Sequence, residues 1–93
     1  MRRPTVTLYT KSGCHLCEAV EQVIAHVARR RPLDVVLRNI LDDPADLERY
    51  RYEIPVVLLD GVEIARYRLT AGELEAAIER SSGSSAGATE ERG

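Results

Sequence analysis

The sequence predicts an α/β fold in which three helices cover one four-stranded sheet of mixed direction, in the order β-α-β-α-β-β-α. Short runs in which apolar and polar residues alternate are typical of strands, and apolar residues recur at helical spacing between those runs. A two-residue Asp-Gly turn joins two of the β-rich runs. With 93 residues, the chain has room for one domain with a single core.

The first half of the chain predicts a parallel β-α-β unit. Thr5–Tyr9 has the alternation of a strand, and the segment from Cys14 to about Arg30 has the periodicity of a helix that ends before Pro32. Asp34–Leu41 predicts a second strand, which we expect to be parallel to the first because a helix connects them. The predicted apolar face of the helix comprises Leu16, Val20, Val23, Ile24 and Val27.

The third quarter predicts a short helix followed by a hairpin. Asp43 is a suitable N-cap and Pro44 a suitable first residue for a helix that extends to about Tyr52. In "EIPVVLLDGVEIARYRL", two β-rich runs flank Asp60-Gly61, which is a strong hairpin signal. These strands complete the predicted sheet.

The last predicted helix closes the domain. Thr70 and Glu73 have capping-box spacing, and the residues that follow place an apolar face on the sheet. The remainder is small, polar and aperiodic, so we expect a domain over residues 1–80 and a disordered tail over residues 81–93. The predicted apolar face comprises Leu74, Ala77 and Ile78.

Composition and charge exclude several classes of function. A net charge of -2 gives no electrostatic reason to expect nucleic-acid binding. No run of residues approaches the length of a membrane span, and the N-terminal segment lacks the apolar core of a signal peptide. We therefore expect a cytoplasmic protein without membrane contact, in a compartment where thiols are kept reduced and cysteine pairs are more often chemical than structural.

The two cysteines lie where the first strand gives way to the first helix. A helix N-terminus stabilises a thiolate, so Cys14 is the predicted attacking thiol and Cys17, one turn later, the predicted resolving thiol. A zinc site would need His15 and His26 as further ligands, and one helix cannot wrap all four around an ion. We favour redox chemistry over a metal site or an inert pair, because C-x-x-C beside a β-α-β unit is a redox signature.

Three further residues have two interpretations each. Lys11 adds positive charge near the thiolate, or is a solvated loop lysine. His15 tunes the couple if its ring faces Cys14, and does little if the ring faces solvent. Pro55 is a candidate for a cis peptide after Ile54, although a trans proline at the start of a strand is the commoner case.

With "YTKSGCHLC", "EIPVV" and this order of elements, the chain resembles the glutaredoxin branch of the thioredoxin superfamily over about residues 4–80. The resemblance implies a thioredoxin-like fold of the glutaredoxin type, with Cys14 as the exposed nucleophile and Cys17 as the resolving residue. It also implies that a cis-proline loop at Ile54-Pro55 faces the cysteines. Lys11 matches a lysine that in many glutaredoxins holds a glutathione carboxylate. Weaker matches on the neighbouring surface are Tyr9, which is a candidate for tuning the couple, and Arg51.

The chain departs from the glutaredoxin pattern at two places. Many glutaredoxins carry a proline and an aromatic residue between the cysteines, which this chain lacks. Leu69 and Thr70 occupy the positions of a glycine pair that cradles glutathione, and the bulk of Leu69 weighs against glutathione specificity. The N–H groups of Ala71 and Gly72, at a helix start, remain suited to a carboxylate, and Thr70 and Ala71 are candidate substrate-binding residues. The chain therefore resembles the divergent dithiol members, some of which act on protein partners.

The resemblance and the residues together predict a monomeric thiol–disulfide oxidoreductase that reduces protein disulfides or glutathione mixed disulfides. It needs no tightly bound cofactor. Glutathione or another low-molecular-weight thiol serves as co-substrate, and a reductase or thiol as electron donor. Two alternatives remain open: a dimer that binds an iron–sulfur cluster through Cys14 of each chain, and an interaction module whose cysteines do not turn over.

Overall fold

A computed structural model describes residues 3–86 and has the predicted order of elements. The sheet contains four strands of mixed direction, and three α-helices accompany it. In chain order, the elements are β1 (Thr5–Thr10), α1 (His15–Arg30), β2 (Asp34–Asn39), a short 3-10 helix (Ile40–Asp42), α2 (Pro44–Tyr50), β3 (Val56–Leu59), β4 (Val62–Arg66) and α3 (Ala71–Ala86).

The strands lie side by side in the order β2-β1-β3-β4. β2 is parallel to β1, as the helical connection predicts, whereas β3 is antiparallel to both β1 and β4. The Asp60-Gly61 hairpin is confirmed, with φ of 50° and 86° as a turn of positive φ requires. This topology brings the last residues of β1, β2 and β4 and the first residue of β3 to one end of the sheet, here called the Cys14 end.

One face of the sheet forms the core with α1 and α3. Val6 and Leu8 point to this face and are fully buried against both helices. The predicted face of α1 is wrong at Leu16, which is 52% exposed, whereas Cys17 is only 1% exposed. The inward stripe of α1 therefore begins at Cys17, one residue later than the periodicity suggested. Its buried members are Cys17, Val20, Ile24 and Val27.

The opposite face of the sheet carries α2. Tyr9, which points away from Leu8, packs its ring against Tyr50 of α2 with 4.4 Å between the ring centroids. The guanidinium of Arg38 lies 5.8 Å from the centroid of the Tyr9 ring. These contacts fix α2 beside the last residues of β1 and β2, at the Cys14 end.

Several element boundaries differ from the prediction: β1 ends one residue later, at Thr10, and α2 ends at Tyr50 rather than at about Tyr52. β2 ends at Asn39 rather than Leu41, because the Asn39 side chain accepts a hydrogen bond of 2.9 Å from the N–H of Leu41 and starts the 3-10 helix. α3 continues to Ala86, so the tail that we expected from residue 81 is helical over its first residues. Residues 87–93 lie outside the described residues, and a disordered tail there stays a prediction.

Candidate functional site

A tight turn between β1 and α1 presents Cys14. The N–H of Cys14 donates to the carbonyl of Lys11 at 3.3 Å, and Gly13 has a φ of +80°. These features describe a turn whose third residue needs positive φ, a conformation that glycine adopts without strain. Cys14 itself has extended backbone angles and is the N-cap of α1. The loop thus places the first cysteine where the helix begins.

Cys14 and Cys17 form a disulfide in this structure. Their Cα atoms are 5.2 Å apart, within the range that a disulfide requires. The N–H of Cys17 donates to Sγ of Cys14 at 3.1 Å. A helix N-terminus and a backbone N–H donor are surroundings that in general stabilise a cysteine thiolate. Cys14 is partly exposed and Cys17 is 1% exposed, so the first cysteine is the more accessible of the two.

Pro55 lies at the same end of the sheet as the disulfide. Tyr9, near the end of β1, pairs with Val56, which places the preceding residue, Pro55, beside the segment that leads to Cys14. The Ile54-Pro55 peptide bond is cis, as the resemblance implied. Pro55 is buried, whereas Ile54, the residue before it in this loop, is partly exposed.

The end of β4 supports the proline loop. The N–H of Tyr67 donates to the carbonyl of Pro55 at 2.7 Å, and the hydroxyl of Tyr67 donates to the carbonyl of Tyr52 at 3.4 Å. Arg66 forms ion pairs with Glu53, before the loop, and with Glu63 of β4 at 2.6 Å. We did not anticipate this support from the sequence. Counting the hairpin pairs outward from the Asp-Gly turn would have placed Ala65 opposite Val56, but a register shift between Val57 and Leu58 brings Arg66 to that position.

The ion pair between Arg66 and Glu63 shifts the pKa of both side chains. The hydrogen bond from the Arg66 guanidinium holds the pKa of Glu63 below its usual range, although partial burial opposes the shift. The same hydrogen bond raises the pKa of Arg66 above its ordinary value. Both side chains are well exposed, so water and salt screen the interaction and its contribution to stability is small.

The other predicted residues near the disulfide are exposed or pack elsewhere on the sheet. The His15 side chain is 97% exposed, and its Nδ1 lies 3.8 Å from a carboxylate oxygen of Glu18. The Lys11 side chain is exposed on the turn. Tyr9 lies on the face of the sheet opposite α1, where it packs on Tyr50. A tuning role for His15 or Tyr9 and a binding role for Lys11 stay predictions.

The start of α3 is also at the Cys14 end, because it follows β4 closely. The Thr70–Glu73 capping box is confirmed: Thr70 Oγ1 accepts from the N–H of Glu73 at 3.1 Å, and Glu73 Oε1 accepts from the N–H of Thr70 at 2.9 Å. A carboxylate of the chain itself thus already lies at this helix N-terminus. As first-turn groups, the N–H groups of Ala71 and Gly72 have no acceptor within the helix, and their role in substrate binding stays a prediction.

Leu69 belongs to the core and does not cover the site. Its side chain is 7% exposed and packs in the cluster that includes Val57 and Leu74. The expectation that its bulk hinders glutathione is therefore wrong in its physical basis, because the side chain points inward. What the position lacks, compared with glycine, is conformational freedom of the backbone.

Residues 5–79 match the glutaredoxin-like domain family (DUF836). The chain belongs to this family. Relatives of the glutaredoxin-like domain include the uncharacterized protein Rv0508 of Mycobacterium tuberculosis H37Rv, which is 30% identical over 87% of this chain and 89% of its own length. The structure of XcR50 from X. campestris is 30% identical, with a TM-score of 0.64 over 81% of this chain and 96% of that one.

Similarity to more distant structures establishes the thioredoxin-like fold. A thioredoxin from Halobacterium salinarum NRC-1 has a TM-score of 0.66 at 18% identity, over 85% of this chain and 74% of that one. Within residues 3–86, no helix is both long and apolar enough to cross a bilayer. The same residues contain no group of three or more His, Cys, Asp or Glu side chains placed to hold a metal ion.

Proposed function

We propose that this glutaredoxin-like domain is a thiol–disulfide oxidoreductase whose working couple is Cys14 and Cys17. The observation that carries the proposal is the asymmetry of the pair. Cys14 is partly exposed at the N-terminus of α1 and its sulfur accepts a backbone N–H, whereas Cys17 is buried one turn later and within disulfide distance. An exposed, stabilised thiolate backed by a buried second thiol is what disulfide exchange requires.

The exchange proceeds in two displacements. In the reduced protein, the Cys14 thiolate attacks one sulfur of a substrate disulfide, forms a mixed disulfide and expels the other substrate sulfur as a thiolate. The Cys17 thiol then loses its proton to water, from which the expelled substrate thiolates are reprotonated, and attacks Sγ of Cys14. This step closes the Cys14–Cys17 disulfide and releases the second substrate thiolate, so the substrate gains two electrons and the protein loses two. When the Cys14–Cys17 disulfide is later reduced, Sγ of Cys14 leaves as a thiolate, and the N–H of Cys17 that donates to this sulfur stabilises it.

The substrates that we propose are protein disulfides and glutathione mixed disulfides, in the cytoplasm. Glutathione or another thiol returns the oxidised pair to the dithiol in two further exchange steps. Three features support access at this site: the exposed Lys11 is a cation beside Cys14, Ile54 of the proline loop is partly exposed, and the inward direction of Leu69 leaves the start of α3 unobstructed.

The test uses two cysteine variants and oxidised glutathione as the probe. Cys17→Ser retains the nucleophile but cannot resolve, so mass spectrometry is expected to show a stable glutathione adduct on Cys14. Cys14→Ser retains only the buried thiol and is expected to show no adduct on the same timescale. Far-ultraviolet circular dichroism confirms that both variants are folded. Rapid adduct formation on Cys17, or disulfide reduction that persists in Cys14→Ser, would overturn the proposal.

A further inference from the structure

β2 is an edge strand whose apolar side chains lie open to solvent. It stands first in the sheet order, and among residues 3–86 no other strand pairs with its outer side. Val35, Val36 and Leu37 are 41%, 39% and 49% exposed. An exposed apolar edge strand is a template for pairing with another strand, and folded proteins usually shorten, charge or cover such an edge.

The backbone of β2 alternates between groups that bond β1 and groups that face outward. The N–H of Asp34 donates to the carbonyl of Pro4 at 2.9 Å, which assigns Asp34 to the inward set. In a parallel ladder, alternate residues bond the same neighbour, so Val36 and Arg38 also face β1. The N–H and C=O groups of Val35 and Leu37 therefore point away from the sheet, where a further strand would lie.

The sequence of β2 is complementary to itself when read in the opposite direction. In "DVVLR", an antiparallel pair centred on Val36 places Asp34 opposite Arg38, Val35 opposite Leu37 and Val36 opposite its own copy. Val35 and Leu37 carry the outward backbone groups, so they form the hydrogen-bonded pairs. Asp34 and Arg38 then fall at non-hydrogen-bonded positions, where facing side chains approach most closely and opposite charges stabilise the pairing.

We propose that β2 pairs with β2 of a second copy of this chain, about a two-fold axis through Val36, and joins two four-stranded sheets into one continuous sheet. Such a contact uses the same surface on both copies and closes on itself. This differs from the monomer that we expected from the sequence. The occupant is a second copy because charge and apolar pattern complement this strand itself, at the register that its outward backbone groups require.

The side chains on each face favour the same register. Val35 and Leu37 are the register partners of the buried Val6 and Leu8, so they lie on the core face, where the pairing would extend the apolar surface across the junction. On the other face, within a single chain, Asp34 forms an ion pair with Arg3 at 3.3 Å and Arg38 forms one with Asp46 at 3.5 Å. Asp34 and Arg38 are about half exposed in these pairs, and such pairs are weak enough to exchange partners.

The pairing leaves both disulfides accessible. Because the two β2 strands would be antiparallel, the Cys14 ends of the two copies would lie at opposite ends of the joined sheet. Cys14 of one copy is then far from Cys14 of the other, and this dimer does not bring the two sulfurs together. The inference is independent of the proposed redox function, since no cysteine contributes to the contact.

Sedimentation velocity of the full chain tests the pairing, over about 1 to 500 µM protein because dimer content depends on concentration. Val36→Lys places two like charges at the axis and is expected to raise the dimer dissociation constant at least about tenfold. The matched control is Val62→Lys, which makes the same change at an exposed valine of the opposite edge strand. It is expected to leave the dimer intact, and circular dichroism checks the fold of each variant.

A charge exchange tests the register. Asp34→Arg and Arg38→Asp each place like charges opposite one another between the copies, so each is expected to weaken the dimer. The double variant restores opposite charges between the copies but not the ion pairs within one chain, so recovery of the dimer supports the pairing. A wild-type chain that stays monomeric throughout the concentration range would overturn the proposal. So would a dimer that Val62→Lys disrupts and Val36→Lys does not, or one that the double variant fails to restore.

Discussion

Truncation of Leu69 tests whether this side chain belongs to the core or to a surface that binds substrate. The side chain is 7% exposed and packs among the buried residues of β3 and α3, although the resemblance to glutaredoxins implied a place in the cradle for glutathione. Leu69→Ala is therefore expected to destabilise the domain and to leave glutathione adduct formation at Cys14 unchanged in rate. Leu16→Ala is the matched control, because Leu16 is 52% exposed.

The expected magnitudes follow from burial. Replacing a buried leucine by alanine removes about three carbon atoms from the core, worth about 2.4 kcal/mol at about 0.8 kcal/mol per carbon. The cavity that remains brings the expected loss to about 2–5 kcal/mol. The same truncation at half-exposed Leu16 loses about half of the transfer energy and leaves no cavity, so we expect about 1 kcal/mol or less.

Urea unfolding of the oxidised proteins, followed by circular dichroism, measures both losses. The free energy of unfolding is compared at equal slopes, so that a change in midpoint reports stability alone. The midpoint temperature of thermal unfolding is expected to fall by about 10 °C or more for Leu69→Ala. Equal losses for the two leucines, or a loss below about 1 kcal/mol at Leu69 with faster adduct formation, would refute the assignment of Leu69 to the core.

Three further predictions concern the hairpin, the cap of α3 and the ion pair beside the proline loop. Gly61→Ala forces alanine to a φ of +86° and is expected to cost more than about 1 kcal/mol, whereas Gly72→Ala, in helix α3 with open space around it, is expected to be neutral or stabilising in urea unfolding. Thr70→Ala removes the capping hydroxyl and is expected to cost about 1 kcal/mol; an unchanged urea midpoint would contradict the capping role. The pKa of Glu63 is lowered in the folded state by Arg66, so this pair's contribution is present above the ordinary glutamate pKa of about 4.3 and lost as the pH falls through the lower folded value. Glu63→Gln should therefore flatten the acid side of the stability profile at low salt; an identical profile would contradict the assignment.

The order of elements was predictable because each has a local signal. Asp60-Gly61 demands a hairpin, and the Thr70–Glu73 box starts a helix wherever it is placed. Local signals did not predict which apolar side chains are exposed, because exposure depends on how the elements pack together. Leu16 fits the helical period, but the first turn of α1 buries Cys17 instead. β2 has three consecutive apolar residues and still lies exposed, because its position at the sheet edge follows from topology and not from the strand itself.

The candidate site was predictable to a similar degree. The spacing of Cys14 and Cys17 was visible in the sequence, and so was their position where the first strand is followed by the first helix. The cis geometry of Pro55 came from the resemblance, since an isolated proline favours trans. The support of that loop by Arg66 and Tyr67 joins distant parts of the chain, and only the pairing of β3 with β4 brings them together.

The reduction potential of the Cys14–Cys17 disulfide tests the central claim most directly. The protein is equilibrated in glutathione redox buffers, and mass spectrometry measures the oxidised, reduced and glutathione-bound fractions. A redox couple that turns over is expected to have a potential between about -270 and -200 mV, the range from thioredoxin to glutaredoxins, with an adduct on Cys14 at the intermediate ratios. A disulfide that resists reduction to below about -300 mV, and forms no adduct, would be structural and would contradict the account.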